Sequence, residues 1–432
     1  MIAGSSPSDS VIVLGAGPAG ATAARRLAER GVAVRLLDRA AFPRNKPCGG
    51  GISLRVLTRF PYLERELAHI GTHAVSRLYL EGPDGDAAVV ESDGPAALMI
   101  RRVEFDALLV SLAQQAGAAL ITGVEIVQAQ QDDDAVTLVA RDGRRFRAPI
   151  VIAADGVHSV VARRLGINPG WRASAVALDM MEETPRTALR DLDPSTLWVS
   201  YGFDPDGARP VADRRAAEGY AYIFPKRDHV NIGVGYVLSH YRAAVERAPY
   251  DLQRGFVATL RDRGIVSGES VRNNFTPFLI PVGGPLRDPA RGRVLLAGDA
   301  GGFVNGFTAE GIYYAMVTGE IAADAVADRG DAATLAARYR RAWNYEIGAE
   351  LRDSVLIQRY LFNDRRRIAA VIQGTRREPA TTRAILEFAV GTRSYRSLRR
   401  RLLARSPLLA GRIAWEIFRA NFVAPAAPGS TM

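Results

Sequence analysis

Cysteine is almost missing from this 432-residue chain; Cys48 stands alone. No internal disulfide can staple the fold, so an ordinary apolar core must hold it. Lysine is nearly as scarce: Lys46 and Lys226 are the only two, and arginine supplies the remaining basic charge. No apolar run approaches the roughly 18 residues that a membrane-spanning helix needs. Residues 1–10 are polar and lack the apolar centre of a secretion signal. A cytoplasmic location is therefore expected. No spaced cluster of cysteine and histidine points to a metal centre, and internal repeats and low-complexity tracts are absent. The net charge of +10 is unevenly spread. Residues 331–432 hold 19 arginines against eight acids, which leaves the rest of the chain near neutrality. A basic tail without a recognition module or an aromatic platform gives no reason to expect a nucleic-acid partner.

Glycine, in contrast, is concentrated where chemistry needs it. Val11 to Leu14 is a β-branched apolar run, as a buried parallel strand requires. It leads into Gly15-Ala16-Gly17-Pro18-Ala19-Gly20. Gly15 permits a tight turn, Gly17 lets a pyrophosphate approach the backbone, and Gly20 lets the next helix lie close to the sheet. The helix N-terminus then attracts the anion. Val32 to Leu37 reads as the second strand. Asp38 ends it, 23 residues after Gly15, where a carboxylate can accept from ribose hydroxyls. A second stretch, Leu295 to Gly306, contains Gly298-Asp299-Ala300. There Asp299 can accept from a ribitol or ribose hydroxyl. One long ligand held from both ends of the chain points to FAD.

The rest of the pattern sorts into layers. Residues 76–96 read as a hairpin turning at Pro83-Asp84-Gly85. Arg102 to Ala116 has a helical period. Pro149 to Ala154 and Arg293 to Ala297 are further apolar strands. Residues 170–270 alternate as strands do, and Thr308 to Val326 reads as a helix. The expected fold is α/β. A discontinuous Rossmann-type FAD-binding domain (9–75, 97–168, 271–330) carries an inserted antiparallel-sheet substrate domain (76–96, 169–270). A helical region (331–432) follows.

The loop Pro43-Arg44-Asn45-Lys46-Pro47-Cys48-Gly49-Gly50-Gly51 resembles the P-x-x-K-x-C-G-G-[GA] loop of the geranylgeranyl reductase family. These are FAD-dependent, para-hydroxybenzoate-hydroxylase-like flavoproteins that reduce C=C bonds of prenyl chains. Arg102-x-x-Phe105-Asp106 matches that family's R-x-x-F-D helix, whose arginine approaches the pyrophosphate. Ala154-Asp155-Gly156 resembles the superfamily's D-G motif, whose aspartate orders backbone. Tyr220-Ala221-Tyr222-Ile223-Phe224-Pro225, followed by Gly233-Val234-Gly235, is similar to the Y-x-W-x-F-P…G-x-G strand pair that lines the family's substrate tunnel. Here Tyr222 stands in place of tryptophan.

The resemblance implies cofactor contacts at Gly15, Gly17, Ala19, Gly20, Asp38, Lys46, Cys48, Gly49, Gly51, Arg102, Val124, Asp299, Gly311 and Ile312. It implies substrate contacts at Tyr220, Tyr222, Phe224, Pro225, Gly233 and Gly235. Cys48 reads either as a small residue lining the flavin or as a catalytic, redox or gating group. The aromatic stripe reads either as plain core or as pocket wall. After Asp299, Gly306 and Ala309 replace the family's usual proline and glycine, so a looser loop is expected there. The helix that follows would place its positive end at the flavin pyrimidine.

The implied activity is hydride transfer from reduced flavin to a C=C bond of an apolar, prenyl-type substrate. With one Rossmann fingerprint only, NAD(P)H would bind transiently, or a ferredoxin would supply electrons. The alternative is a flavin monooxygenase acting on an aromatic substrate. Residues 391–422 interleave eight arginines with leucine, isoleucine and phenylalanine at near-helical spacing. They suit either docking on the inner membrane face or packing on the protein itself.

Overall fold

A computed structural model of the chain describes residues 10–203, 218–245 and 247–377. Its centre is a six-stranded sheet in the order Ala290–Arg291, Val294–Leu296, Val151–Ala153, Val11–Leu14, Val34–Leu37, Ala119–Ile121. All pairings are parallel except at the Ala290–Arg291 edge. Val11–Leu14 is buried along its whole length, as a strand covered on both faces must be. Alternation then sorts the side chains. Val13, Leu36, Ile152 and Leu295 face a helical layer. Ile12, Leu14, Leu37, Val151 and Leu296 face a three-stranded meander, Ile126–Gln131, Val136–Ala140 and Arg145–Ala148.

The helical layer contains Pro18–Glu29, Arg102–Gln115 and Ile312–Ala327. The first and last of these run side by side in the same direction. A side chain at Gly319 would meet the Ala19 carbonyl oxygen at 2.1 Å. Further along, Arg26 pairs with Asp324 and Arg30 with Asp328. The two ends of the expected FAD site are thus one packing unit.

A seven-stranded sheet lies beyond it, in the order Phe275–Ile280, Ala177–Pro185, His229–Val237, Gly219–Pro225, Thr196–Tyr201, Arg77–Glu81, Ala87–Glu91. The expected hairpin is present as Arg77–Glu81 and Ala87–Glu91. One boundary differs from expectation. Phe275–Ile280 pairs with Ala177–Pro185 in this sheet, so the chain returns to the nucleotide part only after residue 280.

One face of the large sheet packs Ala221, Ile223, Ile232 and Val234 on the amphipathic helix Pro249–Asp262. The other face carries Met181, Val199, Tyr201, Tyr220, Tyr222 and Phe224. It meets Phe362, Ile368 and Ile372 from the helices Ala349–Phe362 and Arg365–Arg377. The basic stretch 391–422 lies outside the described residues.

Candidate active site

The phosphate cradle follows from three glycines. Gly15 has φ +92°, a left-handed value that costs other residues about 1–2 kcal/mol. A methyl group at Gly20 would sit 1.7 Å from the Gly15 carbonyl oxygen, so the helix can approach the turn only without one. At Gly17 the nearest non-local atom to such a methyl is Arg44 Nη2, 3.8 Å away. The cradle is therefore open on the side from which an anion would come. No side chain caps the helix Pro18–Glu29, so its first N–H groups are free for phosphate oxygens. These features fit the pyrophosphate of FAD.

Asp38 is buried at the end of its strand. Oδ2 accepts from Ala16 N–H at 2.7 Å and Oδ1 from Ala40 N–H at 2.8 Å. The carboxylate shapes the cradle turn and keeps one lone pair on each oxygen for ribose hydroxyls. Val124 N–H donates to the Asp38 carbonyl at 2.9 Å, which puts both residues at the same end of the site.

Arg102 shares one buried carboxylate with Arg44. It is buried beside Cys48, with a two-pronged hold on Asp106 (2.6 and 2.8 Å). The guanidinium beside Gly17 belongs to Arg44, which also pairs with Asp106 at 2.9 Å. Spacing alone cannot separate two arginines that share one buried carboxylate.

The late turn closes on the early loop. Lys46 Nζ lies 3.8 Å from Asp299 Oδ2. Asp299 Oδ1 lies 3.6 Å from where a Gly311 side chain would begin. The helix starts at Ile312, not Thr308, because the Asn305 carboxamide captures Phe307 N–H and Thr308 N–H, both at 3.0 Å. Gly306 N–H donates to Ser354 Oγ at 2.8 Å. Glu310 accepts from Ser53 Oγ at 2.7 Å. Side chains thus tie this loop. Ala309 takes φ +56° at the position where glycine is usual. The helix has no side-chain cap, so its N-terminus is open towards the site.

The Cys48 loop and the aromatic strand come together. A methyl at Gly49 would meet the Phe224 ring at 2.6 Å and Tyr222 at 3.7 Å. Asn231 Nδ2 donates to the Cys48 carbonyl at 3.1 Å. Gly50 packs on Lys226, whose buried ammonium is hydrogen-bonded to Glu183. Burial pushes the Glu183 carboxyl up, but Lys226 and Arg101 outweigh it and hold it below its ordinary value. Gly233 makes room for the Tyr222 ring, which would otherwise lie 2.4 Å from a methyl there.

A model of the FAD binding domain matches residues 9–235 of the chain. A menaquinone reductase of Mycobacterium tuberculosis (strain ATCC 25618 / H37Rv) is 31% identical over 77% of this chain and 81% of that protein. The chain belongs to the geranylgeranyl reductase family. It is an FAD-dependent oxidoreductase. A digeranylgeranylglycerophospholipid reductase of Methanothermobacter thermautotrophicus is 29% identical over 81% of this chain and 87% of its own. A geranylgeranyl bacteriochlorophyll reductase-like protein from Thermoplasma acidophilum shares the fold, with a TM-score of 0.72 at 16% identity over 91% of this chain and 98% of that one.

Within this family member, several contacts around the candidate site escape sequence reasoning. Tyr201 stacks on Phe307 at 5.9 Å, and both rings approach Phe362. Tyr220 donates to the Thr308 carbonyl at 2.9 Å, joining the sheet to the late loop. Asp179 accepts from Tyr222 at 3.0 Å, and burial pushes its carboxyl up to about 7. Its one signal in the sequence is an acid in an apolar strand, Ala177–Pro185, whose other acids gave no reason to prefer it.

Proposed function

We propose that this reductase saturates C=C bonds in the prenyl chain of an apolar lipid. The observation that carries the reading is the contact of the Cys48–Gly51 loop with the aromatic face: Gly49 sits directly on Phe224, beside Tyr222. A flat ring along that loop would have a wall of Tyr220, Tyr222 and Phe224 opposite it. Tyr201, Phe307 and Phe362 continue the wall for an extended apolar chain. Such a surface of aromatic rings excludes water, which suits an isoprenoid.

The cofactor contacts follow the cradle. Gly15, Gly17, Ala19 and Gly20 would surround the pyrophosphate, with Arg44 as its counter-charge. Asp38 and Val124 would flank the adenosine, and Lys46, Asp299, Gly311 and Ile312 the ribitol and flavin. Cys48, Gly49 and Gly51 would border the ring, while Arg102 would orient the Cys48 thiol. When bound and reduced, FAD supplies a hydride equivalent. The protein holds the double bond beside it and keeps water out. Pro225 ends the wall, and Gly233 and Gly235 leave it room. Either transient NAD(P)H or a ferredoxin would recharge the flavin, and the basic tail would hold the enzyme on an anionic membrane surface where its substrates reside. Among the described residues no helix is long and apolar enough to cross a membrane.

The test is anaerobic incubation of dithionite-reduced holoprotein with a prenylated quinone, a geranylgeranyl diphosphate and a digeranylgeranyl glycerophospholipid. Mass spectrometry should show products heavier by pairs of hydrogens. Substrate-dependent oxygen uptake with an oxygenated product would replace this reading by a monooxygenase.

A further inference from the structure

We propose that Asp179, acting through the Tyr222 hydroxyl, supplies the proton that accompanies hydride addition to the substrate. This rests on the reductase reading above.

The arrangement comes from sheet register. Asp179, Gly235 and Tyr220 are direct neighbours across three strands, and Met181, Gly233 and Tyr222 form the next row. Side chains in these rows share one face. The two glycines open a gap between Ala177–Pro185 and Gly219–Pro225, and the Tyr222 ring lies across it above Gly233. Its hydroxyl donates to Asp179 Oδ2 at 3.0 Å. Asp179 Oδ1 is buried and has no partner among the described residues. It points past Gly235, where a side chain would begin 3.5 Å away.

Burial leaves this carboxyl poorly solvated as an anion; the Tyr222 hydroxyl and the Met180 N–H offset that only in part, and burial raises it to about 7. The titratable groups that interact with it are Tyr222 and Tyr220, both held protonated by burial. Cys48 is the next group outward and interacts with both tyrosines. Gly235 on the adjoining strand and Phe278 on the outer one bring no charge. The family pattern has tryptophan at position 222. Indole donates a hydrogen bond but cannot take a proton back, whereas a phenol does both.

The step balances. One carbon of the double bond takes a hydride from the reduced cofactor. Its neighbour uses the π electron pair to take the Tyr222 hydroxyl proton. For this the hydroxyl turns from Asp179 to the substrate, and the protonated Asp179 carboxyl then donates to the Tyr222 oxygen and restores it, regaining a proton from water between turnovers. Two hydrogens enter the product and two electrons leave the cofactor.

The test uses holoenzyme, Asp179→Asn and Tyr222→Phe in single-turnover reduction of the accepted lipid from pH 5.5 to 9. Wild-type rate should fall as pH rises through about 7. Both variants should be at least tenfold slower, and Asp179→Asn should lose the pH dependence, while binding FAD and being reduced by dithionite like wild type. A second readout needs no turnover: infrared titration of oxidised holoenzyme should show a protonated carboxyl band that disappears over the same pH range and is absent from Asp179→Asn. No reduced product from wild type would overturn the reductase reading itself and the relay with it. A working wild type whose variants stay within twofold, with unchanged pH profiles, would overturn the relay alone. So would a missing carboxyl band.

Discussion

At the scale of single residues, two positions hold stress that a measurement can release. Ala309 sits at φ +56° in a loop fixed by Asn305, Ser354 and Glu310. An L-residue there costs about 1 kcal/mol, which glycine would not. Ala309→Gly should therefore stabilise the protein by up to about 1 kcal/mol, read from the urea midpoint, less the greater chain entropy of the unfolded glycine. Asp179 stores stress of another kind. Its folded value of about 7 lies above the 3.8 of an exposed aspartate. Between these values the native state holds a proton that the unfolded chain has lost, so stability is full below about pH 4 and declines as pH rises towards 7. The total is on the order of 4 kcal/mol. Asp179→Asn should abolish this slope. Its melting temperature should gain on wild type between pH 5 and pH 8; a constant difference across that range would show that Asp179 does not titrate there.

At the scale of elements, the strands that sequence could read were those whose fate is local. Val11–Leu14 appears with the expected ends, and Arg102–Gln115 falls one residue short of the expected helix. Each carries its own period and its own boundary residues. The elements that went astray were decided by partners far away in sequence. Phe275–Ile280 follows Ala177–Pro185, and the late helix yields four residues to the Asn305 side chain. The cradle helix shows how strict the local part is. It touches Gly15 at its start and, through Ala19, meets Gly319 on the late helix. Gly20→Ala places a methyl 1.7 Å from a carbonyl oxygen that cannot move without reshaping the turn. It should cost about 1–3 kcal/mol as overpacking and abolish FAD binding, which the loss of yellow colour on purification would report. Asp106, fully buried between Arg102 and Arg44, has the opposite sensitivity. Asp106→Ala leaves buried guanidinium charge uncompensated and should cost about 3–5 kcal/mol in denaturant unfolding.

At the scale of the whole molecule, the candidate cofactor site could be read from sequence because two short motifs, each suited to a nucleotide, pack together. The surroundings of the aromatic wall could not, because Asp179 meets Tyr222, and Arg44 meets Asp106, only through register and loop packing. That division makes one further prediction about the molecule as a unit. The cradle at residues 15–20 and the turn at 299–312 belong to one helix pair, with Lys46 reaching Asp299 across the gap between them. A ligand gripping both must stabilise the assembly as a whole rather than one lobe. FAD at about one hundred times its dissociation constant should add about 2.7 kcal/mol to unfolding. Gly319→Ala lies far from the cradle in sequence, yet its methyl would press on the Ala19 carbonyl at 2.1 Å. It should therefore lose FAD affinity much as Gly20→Ala does, and lose the FAD-induced rise in melting temperature with it. If Gly319→Ala kept wild-type affinity while Gly20→Ala lost it, the late helix would be a scaffold beside the site and not part of the grip. The reductase would then hold its cofactor by the early motif alone.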